Sequence, residues 1–435
     1  MTRSFEGVVA YLSTQGNGAV HLPDGSTVYC ADTLPAETVR LEEDAAGHWQ
    51  LADILSPSPQ RVPPSCTLFG DCGGCSVQHM QPEAIMAWKA DLVRHALGKA
   101  GFTDIPVATT FQVAPHTRRR ADLALRRVAD GLHLGLHTRG SKIVTDMAAC
   151  PVLHPDIGRV LPALRQVAES LQALRKEGSV IINLLDSGPD ILLRTDAALT
   201  TTDRQKLARM AEQAGIARIS WQSLKADTPT ETAVQTAPVY QTIAGQRITP
   251  PPGAFLQATA ESEQAIQQAV LDCLPGKLSR RSILVELFAG CGTLSFPLAK
   301  HCQVHTYESS APAYAAMKAA TNNTRITPFC RDLYRQPVLA KDIAKVDIVV
   351  LDPPHAGARE QMDQIVRGLP AWVIYVSCNP ASLAKDAAAL ASAGYSLDRL
   401  HVIDQFLWST ETETVCAFKR ESSRRSRNGL SRSGS

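Results

Sequence analysis

Along the first sixty residues the apolar positions come in short runs, GVVAYL, AVHL and STVYC, separated by the pairs Asn17-Gly18 and Asp24-Gly25. Short runs closed by Asn-Gly or Asp-Gly predict a small all-β module of hairpins. The Ser/Pro-rich stretch SPSPQRVPPS (56–65) breaks that pattern and marks a boundary. A helix is predicted over 82–99, followed by strand-like ADLALRRV and GLHLGLHT. The proline block at 250–252 marks a second boundary. From there strands over 282–287 and 303–307 alternate with helices over 293–301 and 311–322. The unbroken apolar runs 346–351 and 372–376 fit strands buried on both faces of a parallel sheet. The alternation predicts a doubly wound, Rossmann-like α/β domain. The expected organisation is a β module over 1–62, a mixed α+β central unit over 63–250 and the α/β domain over 251–420. A basic Ser/Arg-rich tail, 421–435, is too poor in apolar residues to fold on its own.

Composition changes this picture little. Hydrophobic residues make up 44% and charged residues 20% of the chain, as in a globular protein. No apolar run is long enough to cross a bilayer. The start, MTRSFEGVVAYLST, lacks an apolar core of signal-peptide length. A cytoplasmic monomer without a membrane partner is expected. Charge is uneven. Residues 1–65 carry three Lys/Arg against eight Asp/Glu, whereas 94–142 carry nine against three, including Arg118, Arg119, Arg120, Arg126 and Arg127. Such a stretch suits a polyanionic partner, or simply a solvated face.

Candidate chemistry lies mainly in the last domain. VELFAGCGTLSFPLAK sets a glycine turn, Gly290 to Gly292, between a strand and a helix, where open sheets bind ligands. Glu308 ends the next strand, in the place of an acid that receives ribose hydroxyls. The pyrophosphate fingerprint is incomplete after Gly292, which leans toward adenosylmethionine over a dinucleotide. LDPPHAGA fixes Asp352 at the same sheet edge. Cys378 follows another buried strand and precedes a helix whose N-terminus would lower its thiol pKa. Glu411 and Glu413 lie in a β-like stretch, so alternation puts both on one face, where one is a candidate base. Eleven cysteines in a reduced compartment do not read as a disulfide framework. Cys66, Cys72, Cys75 and Cys150 could hold zinc or an iron–sulfur cluster, and the single three-cysteine group is closer to ferredoxin-style ligation.

Several of these stretches together resemble the uridine-C5 RNA methyltransferases. SCNPASLAKD resembles their S-C-N-P-x-T-L-A-R-D motif, LDPPHAGA their D-P-P-R-x-G, and GAFLQATAESEQAI their F-F-Q-x-N segment. DQFLWSTETETV resembles the final D-x-F-P-x-T-x-H-x-E, which places its terminal acid on Glu413. CTLFGDCGGCSVQHM and MAACPVLHP resemble the family's cluster segments, and 1–62, with LPAETVRL, resembles a TRAM domain, a small OB-like β-barrel. The resemblance implies a class I methyltransferase domain that uses S-adenosyl-L-methionine to make 5-methyluridine. Cys378 would add to uracil C6 and Glu413 would remove the C5 proton. Gln257, Phe288, Gly290, Glu308 and Asp352 would hold the cofactor, and the four cysteines a 4Fe–4S cluster. TRAM and cluster together look most like the branch that modifies 23S rRNA, at an unpaired loop. The same chemistry on tRNA, or an RNA-binding iron–sulfur protein without catalysis, are the alternatives. The chain departs from the motifs at Thr259, at His355, at Leu407-Trp408-Ser409 and at Glu411.

Overall fold

The computed structural model describes residues 3–106, 108–225, 228–276 and 278–420; the basic tail lies outside them. The chain opens with β1 (Ser4–Leu12), β2 (Gly18–His21), β3 (Thr27–Cys30), β4 (Thr38–Glu43) and β5 (Trp49–Ser56). They form one antiparallel sheet of order β3-β2-β1-β4-β5. Its inner side chains, Val9, Val20, Val39 and Leu41, are fully buried.

After a loop bearing three cysteines come α1 (Pro82–Lys99), β6 (Thr109–Gln112), β7 (Arg120–Val128), β8 (Gly131–Gly135) and α2 (Pro155–Ser170). The central unit continues with β9 (Glu177–Leu185), β10 (Gly188–Thr195), α3 (Thr201–Ala214), β11 (Arg218–Ser223) and β12 (Glu231–Gln235). These strands make a mixed sheet, β12-β11-β10-β9-β7-β8, with α2 and α3 packed against it through Leu161, Leu164, Leu207 and Met210. The hairpin β13 (Gln241–Ile243) and β14 (Gln246–Ile248) leads into the last domain.

That domain holds α4 (Ala260–Asp272), β15 (Ile283–Leu287), α5 (Ser295–Leu298), β16 (Gln303–Glu308), α6 (Ala311–Ala319) and β17 (Ile326–Cys330). It goes on through α7 (Ala340–Ile343), β18 (Ile348–Leu351), α8 (Glu360–Gly368), β19 (Trp372–Ser377), α9 (Pro380–Ser392), β20 (Tyr395–Asp404) and β21 (Glu413–Arg420). The sheet order is β17-β16-β15-β18-β19-β21-β20-β6. The first five strands are parallel, and β21 slots in antiparallel to both β19 and β20. Both faces are covered. Val285, Val349, Val373 and Tyr375 pack beneath α1, α8 and α9, while Leu284, Val350 and Ile374 pack beneath α4, α5 and α6. Burial on two sides is why these strands read as continuous apolar runs.

Two expectations change. The segment from α1 to β6 belongs to the C-terminal sheet and not to the central unit. Thr109 pairs in parallel with His401, and Ala90, Val93 and Leu97 join the same core as Leu383, Ala387 and Leu390. The helix expected over 293–301 shrinks to α5, because Pro297 has no N–H to continue the ladder and turns flank it on both sides. Among the described residues no helix is long and apolar enough to cross a membrane.

Candidate active site

The strand order reverses between β15 and β18, and the loops at their carboxyl ends form the crevice where such sheets bind ligands. The turn after β15 is tightly constrained. Phe288 has a positive φ of 63°, and Gly292 (φ 96°) could not carry a Cβ, which would lie 2.6 Å from the Phe296 ring. Glu308 ties this turn to β16: its Oε2 accepts from Gly290 N at 2.8 Å and its Oε1 from Ser310 N at 2.6 Å. The Phe288 ring lies 5.8 Å from that of Tyr334, whose hydroxyl donates to Gly357 O. Two acids on β15 and just after β18 are pushed up in pKa. Burial pushes Asp352 up to about 7, and pushes Glu286 up to about 8 against the opposing hydroxyl of Ser295. Glu286 Oε2 is buried without a protein partner.

Cys378 and Glu413 meet at the end of the β19–β21 ladder. Ser377 pairs with Thr414, so in antiparallel register the next residues outward are Cys378 and Glu413. Burial, then the charges of Glu413, Asp352 and Glu411, push the Cys378 thiol up to about 12. This reverses the expected helix-terminus effect. Asn379, the N-cap of α9, accepts from Ala381 N through its side-chain oxygen, while desolvation and nearby carboxylates dominate at the sulfur. Glu413 is buried, and burial together with Asp352 holds its carboxyl well above the ordinary range, opposed by a hydrogen bond from Gln405.

The structure separates the two candidate bases. β21 begins only at Glu413, so alternation does not extend back to Glu411, which is exposed. Gln257 is buried and its Oε1 accepts from Gln405 Nε2 at 2.8 Å. Gln257, Gln405 and Glu413 thus form one hydrogen-bonded chain. Thr259 is the N-cap of α4 in a reciprocal capping box with Ser262, a role a hydroxyl fills well. His355 stands beside Asn379, whose Nδ2 donates to His355 O at 3.1 Å.

The basic stretch is largely spent inside the fold. Arg119 is buried, paired with Glu263 at 2.5 Å and bonded to Gln257 O. Arg127 donates to the carbonyls of Leu174, Glu169 and Leu171 at the end of α2. Arg126 pairs with Glu177, and Arg118 donates to Arg120 O. Arg119 and Arg127 of the basic stretch are therefore engaged within the fold.

Cys66, Cys72, Cys75 and Cys150 all line one partly open cavity of about 240 Å³, away from Cys378 and shared with Arg118, Leu407 and Ser409. Burial and the other three sulfurs push Cys75 up to about 12, and burial raises Cys150. Among the described residues no three His, Cys, Asp or Glu side chains converge closely enough to hold one metal ion.

Gln405, Glu286 and Lys89 are parts of this region that the sequence did not single out. Glu286 carried a signal, an acid inside an otherwise apolar strand. Gln405 and Lys89 carried none, since Gln257, Ala258 and Asp404, which hold them, lie far from them in the chain.

A model of the tRNA (uracil-5-)-methyltransferase family matches residues 103–421. An uncharacterized RNA methyltransferase of Caulobacter vibrioides is 37% identical, with 94% of this chain and 98% of that protein covered. A 23S rRNA (uracil(1939)-C(5))-methyltransferase of Halomonas elongata is 31% identical over 98% of this chain and 92% of its own length. The fold matches that of the Pyrococcus abyssi tRNA (uracil-54, C5)-methyltransferase in complex with S-adenosyl-L-homocysteine, at 17% identity and a TM-score of 0.71, covering 95% and 100% of the two chains. The chain belongs to the S-adenosylmethionine-dependent RNA uracil-C5 methyltransferase family.

Proposed function

We propose that this protein converts a uridine of 23S rRNA to 5-methyluridine through a covalent intermediate on Cys378. The observation that carries the reading is the ladder register that brings Cys378 and Glu413 together beside Asp352, at the end of the sheet. C5 of uracil is a poor nucleophile. Addition of the Cys378 sulfur to C6 makes C5 an enolate carbon able to attack an electrophilic methyl group. S-adenosyl-L-methionine, when bound, supplies that methyl group. Glu413 then takes the C5 proton, and the C6–S bond breaks to return Cys378. A buried carboxylate with a raised affinity for protons suits this second task. Gln257, Phe288, Gly290, Glu308 and Asp352 are the residues proposed to hold the cofactor. The target base must leave its stack to be reached from both sides, which favours an unpaired loop.

The ribosomal substrate is supported by the relative from Halomonas, which matches along nearly the whole chain. The test is transfer of labelled methyl groups to RNA from a strain lacking the protein. Label in the large-subunit rRNA supports the reading. Label in tRNA alone keeps the chemistry and overturns the substrate. Methyl transfer that survives Cys378→Ala overturns the nucleophile.

The four cysteines share one cavity of about 240 Å³, and four thiolates are the donor set that a 4Fe–4S cluster takes. Cys66, Cys72, Cys75 and Cys150 would hold the cluster, which would brace the surrounding loops. Anaerobic purification with iron and acid-labile sulfide analysis checks this assignment. Colourless protein with stoichiometric zinc overturns it.

A further inference from the structure

Gln405 lies in the segment between β20 and β21 and is almost wholly buried, at 2% exposure. A glutamine amide has two donor hydrogens and two acceptor lone pairs, and here both hydrogens and the oxygen are engaged. Its Oε1 accepts from Ala258 N at 3.0 Å and lies 3.1 Å from Ser262 Oγ, whose one hydrogen it shares with Thr259 O. Its Nε2 donates to Gln257 Oε1 at 2.8 Å and to Glu413 Oε2 at 2.5 Å.

The orientation of such an amide is usually a matter of assignment, but one partner here decides it. Ala258 N is a backbone donor and can only face an oxygen. A flipped amide would oppose two donors at Ala258 and set a carbonyl oxygen against the Glu413 carboxylate. The amide hydrogens therefore point at Glu413 and Gln257. Among the described residues the hydrogen bonds to Glu413 engage Oε2, leaving Oε1 for a proton.

We infer that Gln405 is a positioning residue for proton removal: it fixes Glu413 through one amide hydrogen and Gln257 through the other, and so aims Glu413 Oε1 at the C5 proton. The inference rests on the assignment of Cys378 as nucleophile and Glu413 as base. In the step concerned, Glu413 Oε1 accepts the C5 proton. The C5–H electron pair becomes the C5=C6 double bond, and the C6–S pair leaves with Cys378 as thiolate. The bond from Gln405 supports the charged form of Glu413, against the carboxylates of Asp352 and Glu411 and beside the Cys378 thiol.

The experiment is single-turnover methylation with labelled adenosylmethionine, separating RNA–protein adduct from released RNA, in wild type, Gln405→Met and Gln405→Glu. Methionine keeps the length and removes every hydrogen bond. Misplacing a reacting group by about an ångström costs roughly 10–100-fold in rate. Gln405→Met should form adduct at the wild-type rate and release product about 10–100-fold more slowly, so methylated adduct accumulates. Glutamate keeps the acceptor facing Ala258 N and regains a donor toward Glu413 only when protonated. Gln405→Glu should therefore release product faster as pH is lowered, the reverse of what deprotonating a base requires in wild type. Wild-type release in both variants overturns the role of Gln405, as does an equal loss of adduct formation and release. Absence of adduct in wild type overturns the nucleophile assignment and this inference with it.

Discussion

Replacing Lys89 by methionine keeps the volume of the stem and removes an ammonium buried in the middle of the protein. Lys89 Nζ donates to Asp404 Oδ1 at 2.6 Å and to Glu411 O at 2.7 Å, with both charged side chains fully buried. Asp404 Oδ2 also accepts from Gln112 Nε2 at 2.9 Å. At that separation and an effective dielectric of about 20, the direct attraction is on the order of 6 kcal/mol. Desolvation offsets much of it; burial pulls the Lys89 pKa below its ordinary value despite the Asp404 charge. The pair is thus a modest net stabiliser while intact, but removing one member strands the other. Lys89→Met should cost about 3–5 kcal/mol. For a domain of this size that is a drop in Tm on the order of 6–20 °C. Asp404→Asn removes the stranded charge, so Lys89→Met with Asp404→Asn should be more stable than Lys89→Met alone. Thermal melts of the four proteins in one buffer check this. A single variant within about 1 kcal/mol of wild type, or strictly additive losses, would refute the reasoning.

Three further outcomes follow from the same contacts. In cofactor-free protein the Cys378 thiol, raised from 9.0 to about 12, should hold roughly a thousandfold less thiolate near neutrality than an unperturbed cysteine. Peptide-resolved alkylation should be slower there than at exposed Cys330 and climb about tenfold per pH unit from 7 to 9; equal rates at pH 7 would sink this. Arg119→Met strands buried Glu263 and should cost about 3–5 kcal/mol, yet leave the salt dependence of RNA binding unchanged, since its guanidinium is turned inward. A shallower salt slope would return Arg119 to the phosphate-binding surface. Asp386→Leu removes the acceptor of Tyr375 Oη (2.6 Å) and Ala358 N (2.7 Å), costing about 1–3 kcal/mol per orphaned group. Because that acceptor anchors the loop after Asp352, adenosylmethionine affinity by calorimetry should fall too, and unchanged affinity would detach the loop from the cofactor site.

Much of the C-terminal domain was legible because its signals are local. Buried parallel strands carry unbroken apolar runs, and the Phe288–Gly292 turn needs glycines where backbone meets side chain. The placement of α1 and β6 was not legible. Periodicity shows that a helix has an apolar face but not which sheet covers it, and Thr109 finds His401 almost three hundred residues away. The arginine run was ambiguous for a related reason. Charge along a sequence looks the same whether a guanidinium faces a phosphate or, like that of Arg127, caps the carbonyl end of a helix. Cys378 and Glu413 are proposed from motifs, whereas their meeting depends on β21 inserting antiparallel between β19 and β20, a topological fact that no local pattern encodes.

The departures in the final motif make physical sense once the segment from Asp404 to Glu413 is seen with its neighbours. Leu407 and Trp408 are buried in a core cluster with Val77, Met80 and Ile85, which also takes in Leu12 and Leu34 from the N-terminal sheet. Trp408 adopts a positive φ of 63°, an arrangement that a bulky residue holds only when its surroundings impose it. Its carbonyl accepts from both Ser76 N and Val77 N, directly after Cys75. Leu407 and Ser409 line the cysteine cavity, Lys89 grips Asp404 and the Glu411 carbonyl, and Gln405 reaches across to Glu413. Apolar packing and backbone hydrogen bonds thus hold the loop where the family motif has proline and threonine. Leu407 to Ser409 lie against the cysteine region four to six residues before the proposed base. The segment from Asp404 to Glu413 thus touches both the cysteine cavity and the proposed base, through Leu407 and Ser409 at one and Gln405 at the other.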